Sequence, residues 1–127
     1  MKFDELPTTD RSGRKLAVDN AIVTSVSLSI ADHGCLSGWL FTEFGSGGCG
    51  FGGYMLGRRD ENNVMFIKGY AAEFIVRCAK VCGVEEWEKI EGRPIRVLHE
   101  GLGGGIVAIG HFLKDEWFCP RKEWENA

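Results

Sequence analysis

Ile22-Val23-Thr24-Ser25-Val26-Ser27-Leu28-Ser29-Ile30, then Asp32-His33-Gly34, then Leu36-Ser37-Gly38-Trp39-Leu40-Phe41-Thr42-Glu43-Phe44, is the stretch that decides the fold. Its first part alternates: Ile22, Val26, Leu28 and Ile30 are expected on one face, Val23, Ser25, Ser27 and Ser29 on the other. Asp32-His33-Gly34 supplies turn chemistry, and the apolar run at 36–44 suits an antiparallel partner, so the two segments read as a hairpin. Next comes a run with seven glycines in the thirteen residues 45–57. Glycine lacks a Cβ, so this run can take left-handed conformations and lets another group approach the backbone closely. A third strand is expected over residues 50–56, bald at Gly50, Gly52 and Gly53.

Upstream, residues 1–20 are polar and unpatterned and read as a mobile N-terminal arm, leaving residues 21–127 as a single domain. Downstream, residues 58–63 form a polar connector. Ala71, Phe74, Ile75, Cys78, Val81 and Cys82 then recur at helical spacing, with Gly83 as a stop. Val84, Trp87 and Ile90 predict a short second helix, with Trp87 in the core. Residues 95–100 and 106–113 predict a second hairpin across the glycines at 101–105, and the aromatic tail at 115–120 is expected to dock on the core. The predicted fold is α+β: an antiparallel sheet of about five strands, in the order βββααββ, with two helices on one face.

Length and composition narrow the function classes. A chain of 127 residues fits one domain. A net charge of −3 lacks the positive field of a protein that grips duplex nucleic acid. No apolar run approaches the ~20 residues that cross a bilayer, and residues 1–5 lack the apolar core of a signal peptide, so a cytoplasmic protein without a membrane partner is expected. The five cysteines are odd in number and lack framework spacing, which fits thiols in a reducing compartment. Cys78 and Cys82 stand four apart on the expected helix, but no CxxC pair or HxxxH partner accompanies them. They read as core residues; no metal and no cofactor is assigned.

Asp32-His33-Gly34, Gly50-Phe51-Gly52-Gly53-Tyr54, Glu73-Phe74-Ile75-Val76-Arg77, Gly83-Val84 with Trp87-Glu88, Ile95-Arg96-Val97, and Ile109-Gly110-His111 ending in Asp115 with Trp117-Phe118 occur in that order. Together they resemble a family of small bacteriophage-encoded accessory proteins, mostly of unassigned function, over roughly residues 20–120. The resemblance implies action against host defence in the host cytoplasm, by sequestering a nucleotide signal or by blocking a host defence protein. It assigns no residue a role.

The residues themselves offer two sites. The glycine run has no GxxxxGK[ST] ending, and its near match to GxGxxG enters a strand instead of opening a helix, so neither nucleotide fingerprint applies. What remains is a backbone nest at Gly48, Gly50, Phe51, Gly52, Gly53 and Tyr54, with Arg58 and Arg59 supplying charge and Trp39 a ring, suited to an anionic nucleotide-like ligand. The alternative is that Trp39 packs on the bald strand. His33, Asp32 and His111 are the candidate acid-base groups of a small hydrolase if the two histidines meet; otherwise Asp-His-Gly is a turn. The reading carried forward is a non-enzymatic, homo-oligomeric binder of a small anion, with a protein-binding inhibitor and a hydrolase as alternatives.

Overall fold

The computed structural model describes residues 1–45, 47–101 and 104–124, the side chain of Asp32 excepted. The strands are β1 (Ala17–Asp32), β2 (Cys35–Phe44), β3 (Gly47–Arg59), β4 (Met65–Ile67), β5 (Pro94–His99), β6 (Ile106–His111) and β7 (Trp117–Phe118). Helix α1 (Ala71–Val81) lies between β4 and β5, and a short helix α2 (Pro120–Glu123) follows β7. The strands form one seven-stranded sheet in the order β4-β3-β2-β1-β5-β6-β7, and every neighbouring pair is antiparallel. No helix is long and apolar enough to cross a membrane among the described residues.

The α+β class is as the sequence predicts, but the element count differs. The additional strands β4 and β7 span only three and two residues, too short for alternation to register. The helix expected over residues 84–90 is a single 3₁₀ turn, Trp87–Lys89, and the second α-helix opens instead with Pro120 at its first turn. Helix α1 forms where expected because Ala71, Phe74, Cys78, Ala79 and Val81 face the sheet. Gly83 takes φ +75° just after it, and Arg93 Nε donates to the Cys82 carbonyl at 3.1 Å.

Residues 1–20 do not form a free arm. Leu6 and Leu16 are buried with Leu98, Val107, Ala108, Trp117 and Cys119 in a second core, on the sheet face opposite α1. Met1 and Trp117 exchange backbone hydrogen bonds at 2.9 and 2.8 Å, and the Phe3 N–H donates to Asp115 Oδ1 at 2.7 Å. The boundary drawn at residue 20 falls inside β1, which begins at Ala17. Two isolated leucines in a polar context carry no periodicity, so the segment is held by contacts that sequence pattern does not encode.

The faces of β1 also differ from the simple alternation. Ala21 and Val23 are buried, whereas Ile22 is 46% exposed. A register irregularity between Val23 and Ser25 then shifts the alternation, so that Val26 joins the α1 face with Val23 while Ile22 stays outside.

Three rings lie on the sheet where side chains are missing. Phe74 of α1 covers Gly38, where a Cβ would stand 2.6 Å from its Cε1. On the other face Trp39 covers Gly50 and Trp117 covers Gly110, with hypothetical Cβ separations of 2.8 and 2.6 Å. A glycine beneath a ring lets the ring settle at contact distance from the backbone. Gly38→Ala and Gly110→Ala are each expected to cost about 1–3 kcal/mol through overpacking. Gly47→Ala, with no heavy atom within 4 Å of the new Cβ, is expected to leave stability unchanged or slightly raised. Urea unfolding of the three variants checks the contrast.

Candidate functional site

From Gly47 to Gly57 the glycine run is part of strand β3, not a nest. Gly47, Gly48, Cys49, Gly50 and Phe51 stand opposite Phe44, Glu43, Thr42, Phe41 and Leu40 in the β2–β3 ladder. The bald patch is filled by Trp39, which packs on both Gly50 and Gly53 and stacks on Phe41 at 5.7 Å. Phe51 is fully buried. Arg58 and Arg59 lie at the far end of β3 from Gly48, roughly 30 Å away at the rise of a strand. Arg59 there reaches Asn63 Oδ1 at 3.3 Å. The expected grouping of these residues into one pocket therefore does not form.

The two histidines are also apart. His33 and Gly34 take φ 53° and 73° between the paired residues Asp32 and Cys35, the two-residue turn that twists with its strands. His111 stands opposite Ile95, which stands opposite Ala21. The chain runs from residue 21 to residue 33 before reaching the turn, on the order of 40 Å in extended strand. His111 Nδ1 accepts the Leu113 and Lys114 N–H groups, both at 3.1 Å. The side chain of Asp32, the third of these candidates, lies outside the described residues.

The chain's other histidine forms a pair that sequence reading missed. His99 is 7% exposed, its Nδ1 accepts the Gly101 N–H at 3.0 Å, and its Nε2 lies 2.6 Å from Asp19 Oδ2. With Nδ1 an acceptor, the ring proton sits on Nε2 and is donated to the carboxylate. Both nitrogens are thus committed, and the pair ties the start of the β5–β6 connection to β1.

One residue of the predicted set does reach a cleft. Between the β2–β3 partners Trp39↔Gly52 and Ser37↔Met55, Gly53 and Tyr54 of β3 stand against Gly38 alone, and Gly52 and Gly53 take φ +127° and +73°. The extra residue reverses the alternation and turns Tyr54 to the α1 face, 6.1 Å from Phe51 and 6.2 Å from Phe74 between ring centres. There Tyr54 lines a cleft of about 670 Å³ with Tyr70, Trp124, Arg11, Arg121 and Glu100. That volume falls in the range of roughly 300–1,000 Å³ common to small-molecule sites.

Each wall of the cleft has an identifiable support. Trp124 stacks on Tyr70 with centres 4.1 Å apart and planes within 7°, and meets Tyr54 edge-on at 5.5 Å. Its Nε1 is screened from solvent and has no acceptor among the described residues. Helix α2 is anchored by Arg77, which pairs with Glu123, donates to the Trp117 carbonyl at 3.0 Å and lies 4.7 Å above the Phe118 ring. Glu123 Oε2 also accepts the Cys119 N–H at 2.8 Å, so the same carboxylate caps α2. Arg11 stands on a turn built around Asp10, whose Oδ1 accepts the Ser12 and Arg14 N–H groups at 2.8 and 2.9 Å. The Arg14 backbone N–H holds the Asp10 carboxyl below its ordinary value, against the push of burial.

The arginines divide by use. Arg14, Arg59, Arg77, Arg93 and Arg96 each bond a carboxylate, an amide oxygen or a backbone carbonyl. No such partner is found among the described residues for Arg11, Arg58 and Arg121, of which Arg11 and Arg121 line the cleft. Neither they nor Tyr70 and Trp124 stand out in sequence, because the cleft joins segments far apart in the chain. Comparison with protein-family models, with curated proteins and with solved structures finds no match to the chain.

Burial of thiols and of Tyr54 makes the core respond to pH in one expected direction. Burial pushes Tyr54 up to about 12, Cys82 up to about 12 and Cys78 well above its usual value; Cys119 is raised too. With folded values above the unfolded ones of 9.0 and 10.0, the unfolded chain loses these protons first. Stability is therefore expected to be full below pH 9 and to fall as pH rises toward 12. Tyr54→Phe is expected to remove the tyrosine share of that fall, measured as the urea midpoint against pH.

Proposed function

We propose that the chain binds a small anionic, nucleotide-like molecule in the Tyr54–Trp124 cleft and holds it without turning it over. The observation that carries this reading is the placement of two guanidiniums with no bonded partner among the described residues, Arg11 and Arg121, beside Tyr54, Tyr70 and Trp124. Guanidiniums match phosphate oxygens in bidentate fashion, and aromatic faces accept a base of any sequence. Binding is favoured over hydrolysis because His33 and His111 stand far apart and both nitrogens of His99 are engaged. With the resemblance to phage accessory proteins, the setting we propose is the host cytoplasm and the ligand class a nucleotide signal of host defence. Titration calorimetry against cyclic di- and trinucleotides, mononucleotides and ADP-ribose derivatives tests it. Arg11→Ala and Arg121→Ala are each expected to weaken the productive ligand about ten- to a hundredfold, the loss of one charge-assisted bond. Absence of heat with every member of the panel would sink the proposal.

A specific observation favours a second reading, inhibition of a host protein. On the sheet face away from α1, Phe41, stacked on Trp39, and also Ile22 and Met55 are each 40–46% exposed. Aromatic and methionine side chains of this kind anchor protein interfaces. Under this reading one stoichiometric host protein co-purifies with the chain and is lost with Phe41→Glu, while the cleft variants retain it.

A further inference from the structure

Strand β4 lies at an edge of the sheet and carries apolar side chains into solvent: Phe66 and Ile67 are 60% and 59% exposed, and Val64 just before the strand is 53% exposed. Edge strands are ordinarily blunted by charge or covered. The opposite edge is covered, since Met1 bonds to the backbone of Trp117 on β7.

The backbone of β4 has a definite polarity toward its open side. Lys68 N–H donates to the Leu56 carbonyl at 2.8 Å, and Asp60 N–H to the Val64 carbonyl at 2.9 Å. With Gly57↔Ile67, Arg58↔Phe66 and Arg59↔Met65 as the register, the alternation of an antiparallel ladder makes Arg58 and Phe66 a hydrogen-bonded pair. The same alternation turns the N–H and C=O groups of Met65 and Ile67 away from β3. These groups meet no strand among the described residues.

We propose that this edge is a self-association site, in which β4 of a second copy pairs antiparallel with β4 of the first about a two-fold axis at Phe66. Each Met65 then exchanges both backbone hydrogen bonds with the partner's Ile67. Phe66 meets its own copy as a non-hydrogen-bonded pair, the kind in which side chains approach most closely, with Cα atoms about 4.5 Å apart. A second copy fits better than a foreign strand because the segment is complementary to itself. Its N-terminal flank carries Asp60 and Glu61 and its C-terminal flank Lys68, so antiparallel pairing sets an acidic end beside a basic end at both extremities. The Asp60 carboxylate accepts the Asn62 and Val64 N–H groups, which fixes the acidic turn in place.

Light scattering behind size exclusion, run on the full chain over a wide concentration range, is expected to give twice the 14.1 kDa chain mass. Phe66→Lys, which sets two ammonium groups against each other on the axis, is expected to return the mass to 14.1 kDa with an unchanged circular-dichroism melt of the monomer fold. Phe66→Cys is expected to form an intermolecular disulfide under mild oxidation that the unsubstituted chain, with its own cysteines, does not form. A monomeric unsubstituted chain overturns the proposal, as does a dimer that survives Phe66→Lys or a Phe66→Cys chain that forms no such bond. A foreign strand as the true occupant would appear as the first of these outcomes.

Discussion

Phe74 can lie against the sheet only because residue 38 has no Cβ. An atom there would stand 2.6 Å from the ring and 3.1 Å from Leu28 Cδ2. From that seat Phe74 reaches Phe51, Tyr54, Trp87, Phe118 and Trp124, so the position of one helix and of the whole aromatic core follows from one missing methyl group. The same device on the other face seats Trp117 on Gly110, where Arg96 lies 4.8 Å above the indole and Phe3 closes its side at 5.6 Å. Close packing rewards such fits and penalises any atom added to them.

The parts of this architecture that were legible in sequence are those set by local pattern. The β1–β2 hairpin follows from apolar alternation around Asp-His-Gly, and α1 from apolar spacing that ends at Gly83. What escaped were features fixed by distant contacts. A bulge after Val23 moved Ile22 to the outer face, and no residue type announces a bulge made without glycine. Leu6 and Leu16 became core residues only because Leu98, Val107 and Trp117 wait for them on the far side of the chain. The cleft was invisible for the same reason, since Arg11, Tyr54, Glu100 and Arg121 come from four separate regions. Among the described residues, Tyr54 is the one predicted site residue that lines it.

The glycine run has a different meaning from the one its composition suggests. Gly50 and Gly53 make room for Trp39, while Gly52 and Gly53 supply the positive φ angles of the bulge. One segment therefore closes the outer surface and, by reversing the alternation, sends Tyr54 into the cleft. A ligand in that cleft would meet the consequence of the glycines and not their backbone.

Strand β1 pairs with β2 along residues 22–32 and with β5 along residues 17–22, so its two halves serve different neighbours. The pairings differ greatly in what they must close. The meander from β1 to β3 forms across short turns, whereas the ladder with β5 must gather the chain between Ile22 and Pro94, at an entropic cost that grows with loop length. The meander is thus the natural place for the chain to begin folding. The Asp10 turn, Glu100 and α2 lie outside the meander, so an occupant of the cleft would bridge the meander's Tyr54 to the part of the domain held by the long closure and oppose its opening.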